Sequence, residues 1–117
     1  MRIIQKYITI YLKNNNQIRN EYCKIFKNAP VNIVRDLARA YQEFHRFMPK
    51  SLNSTPLHVT VWKGFIDAFE YIFNKIDPKK LNLNPEDNSS WTPLHWAAFN
   101  GYVKSLKFFC KIMIQFF

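Results

Sequence analysis

The chain has 117 residues, room for one compact unit, and its 48% hydrophobic and 17% aromatic content excludes a disordered tail. Its net charge of +9 is concentrated in residues 1–50, where ten Lys/Arg face three Asp/Glu; this permits nucleic acid, an anionic lipid surface or an acidic protein as partner, and speaks to association rather than fold. The lone Cys23 and Cys110 exclude a disulfide scaffold and fit a reducing intracellular compartment, cytoplasm or nucleus, while no apolar run reaches the roughly 18 residues of a membrane span.

In chain order, residues 3–12 place Ile3, Ile4, Tyr7, Ile8, Tyr11 and Leu12 at the spacing of an amphipathic helix, although alternation near Tyr7 also allows a strand. Lys6 and Lys13 break this stretch and no small-residue cleavage site follows, so no secretion signal is expected. Residues 13–20 are polar and Asn-rich and read as a loop. After Pro30, with Asn32 as candidate N-cap, Ile33, Val34, Leu37, Ala38, Tyr41, Phe44, His45 and Met48 form the apolar stripe of a long helix that Pro49 ends. Residues 1–20 are therefore an N-terminal segment, and residues 21–50 a helical cap or a degenerate repeat.

Two further units follow, residues 51–90 and 91–117. Each carries Thr-Pro-Leu-His, at Thr55, Pro56, Leu57 and His58 and again at Thr92, Pro93, Leu94 and His95. Each then has a glycine nine residues after its Thr, Gly64 or Gly101, followed by an aromatic residue. Pro fits the first turn of a helix, where its missing N–H is no loss. Gly fits the left-handed residue that ends one. Each unit thus predicts a short helix, a tight turn and a second helix, with residues 74–90 as an extended loop between the units. The final helix is expected from Tyr102 towards Phe117.

The second copy, with Ala97 and Ala98 before Gly101, resembles the ankyrin repeat closely. The first departs from it, having Thr60 and Val61 where the pattern has two alanines, which predicts looser stacking there. The glycine expected before the motif is Asn53 in one copy and Ser90 in the other. The resemblance implies an all-α solenoid of helix-turn-helix units with a helical N-terminal cap. It also implies that Thr55 and Thr92 cap their helices, and that His58 and His95 are buried and bonded to those hydroxyls. Arrays of this kind need about three repeats and polar ends. A terminus of Met113, Ile114, Phe116 and Phe117 therefore implies a further repeat or self-association through the last helix.

Catalytic chemistry has little to draw on. His45 is the one histidine outside the motifs, no His/Cys group has metal-ligand spacing, and two glycines cannot build a phosphate loop. No cofactor or metal is expected, and the chain is not expected to be an enzyme. The resemblance implies binding of another protein through loop tips and first helices. The matching positions are Ser51, Leu52, Ser54, Trp62 and Lys63 in one copy, and Asn88, Ser89, Trp91, Phe99 and Asn100 in the other. Nucleic acid or anionic lipid, held by the basic residues 1–50, is the alternative partner, and a non-functional fragment of a longer array is the third option.

Overall fold

Residues 2–101, together with Val103, Leu106, Lys107, Cys110 and Lys111, are described by a computed structural model. Among them the chain is helical, without a strand: α1 (Arg2–Tyr11), α2 (Asn16–Phe26), α3 (Val31–Phe47), a single 3-10 turn at Lys50–Leu52, α4 (Pro56–Lys63), α5 (Ile66–Lys75) and α6 (Pro93–Asn100). Val103, Leu106, Lys107, Cys110 and Lys111 are also helical. The expected apolar end at Met113, Ile114, Phe116 and Phe117 lies outside the described residues.

The N-terminal stripe is a helix, not a strand. Ile4 and Ile8 on α1, with Tyr11 and Leu12 at its end, are buried. Residues 13–20 correct the expectation of a loop, because α2 begins at Asn16. Asn15 is its N-cap, with a side-chain oxygen that accepts the Ile18 N–H at 3.0 Å. A short polar side chain there satisfies an otherwise orphaned donor, so the Asn-rich stretch starts a helix instead of avoiding one. Tyr22 and Phe26 then point into the core. Pro30, not Asn32, stands at the start of α3.

α3 buries Ile33, Leu37, Ala40, Tyr41 and Phe44, while His45 is exposed and Met48 half-buried. Aromatic rings fasten α1 to α3. Tyr7 stacks parallel to Tyr41 at 5.5 Å, and Tyr11 meets Phe44 edge-on at 5.5 Å. Pairs of this geometry add about 0.5–1.5 kcal/mol beyond their buried area. Burial pushes the Tyr41 hydroxyl well above the ordinary tyrosine pKa, and the nearby tyrosines reinforce the shift.

α4 is the central element, packed on α3, α5 and α6. Thr60 and Val61, where looser stacking was expected, are both fully buried. The Thr60 hydroxyl returns to its own helix, donating to the Pro56 carbonyl at 2.9 Å, which removes its polar cost. Gly64 and Gly101 end α4 and α6 at φ 82° and 69°. No atom crowds a Cβ at Gly101, so the backbone conformation is what favours glycine there. Asn53 and Ser90, where the repeat pattern has glycine, also take left-handed φ of 60° and 64°. Asn tolerates this region more readily than Ser.

Candidate interaction surface

The two Thr-Pro-Leu-His motifs build the same local network. In each, the Thr side chain accepts the backbone N–H three residues on, and the His ring takes the Thr backbone N–H in return. Thr55 N–H donates to His58 Nδ1 at 3.1 Å, and the Thr55 hydroxyl lies 2.9 Å from the same nitrogen. Nδ1 is thereby an acceptor, which leaves the proton on Nε2. That N–H donates to the Trp91 carbonyl at 3.0 Å and ties the first unit to the loop of the second.

His95 copies the cap, with Thr92 N–H at 3.0 Å and the Thr92 hydroxyl at 2.7 Å from Nδ1. It does not copy the burial. His58 is 0% exposed, whereas His95 is exposed and its Nε2 makes no hydrogen bond among the described residues. The expectation that both histidines are buried therefore holds for His58 alone. The reason is positional: α6 and its loop cover α4, and no described element covers the corresponding face of α6. Ala97 is buried in that stack, while Ala98 is exposed on the open side.

Asp87 organises the loop between the units. It is 5% exposed. Its Oδ1 accepts the backbone N–H groups of Ser89 and Trp91 at 2.8 and 3.0 Å, and its Oδ2 accepts the Trp96 indole N–H at 3.1 Å. The Asp87 N–H in turn donates to the Trp91 carbonyl at 2.8 Å, so that oxygen receives both Asp87 and His58.

The loop tips meet across the units. Asn88 N–H donates to the Leu52 carbonyl at 2.8 Å, and the Asn88 amide donates to the Ser51 carbonyl. Asn100 links the helices by donating to the Trp62 carbonyl at 3.3 Å. Of the residues selected from sequence, Ser51, Asn88, Ser89 and Phe99 are exposed, while Trp62, Lys63, Trp91 and Asn100 are half-buried. Leu52 and Ser54 are buried and leave the surface set. Leu52 sits in the 3-10 turn, whose geometry tucks its side chain into the core. Lys63 is paired with Glu43, and that bond holds the Glu43 carboxyl below the usual range.

Phe47 is a surface residue that the sequence did not single out. It is 70% exposed at the end of α3, with its ring 6.3 Å from Trp62. Its placement just beyond the buried stripe was the available signal. Phe99, 71% exposed, meets Trp91 edge-on at 5.6 Å, and Trp91 packs on Trp96 at 4.8 Å.

The family model for ankyrin repeats, three copies, matches residues 12–116 and so takes in α2 and α3 as well as the two motifs. The chain belongs to the ankyrin-repeat family. Similar curated proteins include an alpha-latrotoxin of Latrodectus hesperus, 34% identical over 47 residues (40% of this chain, 3% of the toxin). A VAPYRIN-LIKE protein of Medicago truncatula is 56% identical over 25 residues, 21% of this chain and 5% of that protein. Human ankyrin repeat domain-containing protein 49 is 24% identical over 62 residues, 53% of this chain and 26% of that protein. The chain thus spans only a small part of these relatives. No solved structure gives a significant match. Ankyrin repeats are in general protein-interaction modules. No helix among the described residues is long and apolar enough to cross a membrane, and no group of His, Cys, Asp or Glu among them could hold a metal ion.

Burial lowers the pKa of His58, outweighing the Trp91 carbonyl and the Asp87 charge, which raise it. An unfolded chain protonates histidine near pH ~6.5. Above that value neither state binds the proton, and the His58 contribution is complete. Below it the unfolded state takes up a proton that the ankyrin stack refuses. Stability should therefore fall with pH from about 6.5 down to the depressed folded value, by at most about 1.4 kcal/mol per pH unit from this group. In an NMR titration the His58 ring should take up its proton only below pH ~6.5. A ring that titrates at or above that value would disprove the assignment.

Proposed function

We propose that this ankyrin-repeat chain is a non-catalytic binding module whose partner is another protein, docked on the aromatic surface of Phe47, Trp62 and Phe99 and on the loop tips at Ser51, Asn88 and Ser89. The observation that carries it is the exposure of two large phenylalanines, Phe47 and Phe99, at 70% and 71%. Tyr, Trp and Phe are enriched in the cores of protein interfaces, and the few hot-spot residues of an interface cost about 2 kcal/mol or more each when truncated. Trp62 is held by its neighbours: it packs edge-on against Phe44 at 5.3 Å, and the Asn100 amide donates to its backbone carbonyl.

The module is tested by affinity capture with the parent chain and with a Phe47→Ser plus Phe99→Ser variant. Both side chains are exposed, so the melting temperature should be nearly unchanged while the specifically captured protein is lost. Recovery of the same protein at the same yield by the double variant would reject this surface.

A further inference from the structure

The aromatic surface carries charge as well as rings, and that charge is one-sided. Glu43, Arg46 and Phe47 stand at the three- and four-residue spacing that puts side chains on one face of a helix. This face of α3 turns towards the end of α4, where Phe47 meets Trp62 and Glu43 is ion-paired with Lys63. Glu43 is thus already satisfied: Lys63 lowers its pKa most, and the charges of Arg39 and Arg46 add to the effect. Arg46, just before Phe47, and Lys50, three residues beyond it, are both exposed, and neither is ion-paired among the described residues.

Other acids do not restore the balance. α6, which supplies Phe99, has no charged side chain. Asp36, Asp67 and Glu70 gather in a cleft beside Gly64 and Phe65, where Arg39 lies over the Phe65 ring. Asp36 is eleven residues before Phe47, about 16 Å away along α3. At the loop tips Glu86 is exposed, two residues before Asn88, and makes no ion pair among the described residues. The uncompensated cations therefore flank Phe47.

We propose that the segment bound here is an acidic stretch of the partner protein, with one apolar side chain set against Phe47, Trp62 and Phe99 and with Asp or Glu beside it facing Arg46 and Lys50; this rests on the reading of the aromatic surface as a protein-binding one. The rings and the cations have different tasks. The desolvated centre of an interface holds its energetically dominant residues. A charge at the rim acts chiefly on the association rate, its salt dependence and the exclusion of like-charged partners. The aromatic anchor thus retains the segment, and Arg46 and Lys50 select for its acids.

The test is selection of phage-displayed random peptides on the full chain, followed by surface plasmon resonance with the selected peptides. Enrichment of Asp and Glu within a few residues of an apolar anchor is expected. Arg46→Glu plus Lys50→Glu should weaken these peptides about tenfold or more, chiefly through slower association. Raising the salt from about 50 to about 500 mM should slow association with the parent chain in the same way. Both side chains are exposed, so circular dichroism should show an unchanged fold. Arg46→Glu alone, on the helix surface, gives a smaller loss that does not involve the turn at Lys50. Peptides that need Phe47 and Phe99 but carry no excess of acids, or that bind the charge-reversed variant equally well, would overturn this inference and leave the aromatic surface standing. Acidic peptides that bind the Phe47→Ser plus Phe99→Ser variant unchanged would reject the aromatic surface, and this inference with it. An oligothymidine that displaces the peptides and binds more tightly than they do would overturn it too, by assigning the two cations to nucleic acid.

Discussion

Replacing His58 with alanine is expected to destabilise the fold by about 3–4 kcal/mol, whereas the same change at His95 should cost no more than about 1 kcal/mol. The two histidines occupy the same tetrapeptide, with the same threonine cap. They differ in what surrounds them. His58 is fully buried, and its loss strips the Thr55 N–H and hydroxyl of their ring partner and the Trp91 carbonyl of one of two donors. Each buried polar group left unpaired costs about 1–3 kcal/mol, and the vacated ring volume adds a cavity penalty. His95 is exposed, so water replaces its ring at little cost and only the cap geometry is weakened. Urea denaturation of the two variants checks this. Losses of equal size would mean that burial does not decide the energetics of the motif.

The same contrast shows what was legible in the sequence. The caps, the prolines at the first turn and the glycines at the helix ends are local chemistry, decided within a few residues, and they lie where the motif predicts. Burial of a motif residue is not local. It depends on which neighbour covers it, and the Thr-Pro-Leu-His of residues 92–95 reads identically whether or not its face is covered. Leu52 and Ser54 failed for a related reason. Their positions were carried over from the repeat pattern, but both side chains are buried, Leu52 within the turn at Lys50–Leu52 and Ser54 two residues beyond it.

The missed start of α2 has a different cause. Its polar face, with Asn16, Gln17, Arg19 and Asn20, masked an apolar spacing of Ile18, Tyr22 and Phe26 that was present all along. Nor was the role of Asp87 legible: its bond to the Trp96 indole spans nine residues across a turn and has no periodic signature.

Asp87→Ala should cost about 2–4 kcal/mol and loosen the joint between the two units. The carboxylate collects three donors, and hydrogen bonds to charged groups contribute about 1.5–3 kcal/mol each. The sum is discounted because Ser89 is exposed and its N–H can return to water, and because burying the carboxylate has its own desolvation cost. Asp87→Asn keeps an oxygen for the two backbone donors but turns an amide N–H₂ towards the Trp96 indole. About half the loss is expected there, with the indole N–H resonance of Trp96 shifting towards that of a solvated indole. The Trp91 carbonyl receives both the Asp87 N–H and His58 Nε2, so displacing the loop also weakens the His58 bond. The two sites are therefore coupled. In a double-mutant cycle, His58→Ala and Asp87→Ala should together cost less than the sum of the single losses, by about 0.5 kcal/mol or more. Strict additivity, or an Asp87→Ala loss well under about 1 kcal/mol, would show that the loop is held by its hydrophobic contacts and that the carboxylate is incidental to the joint.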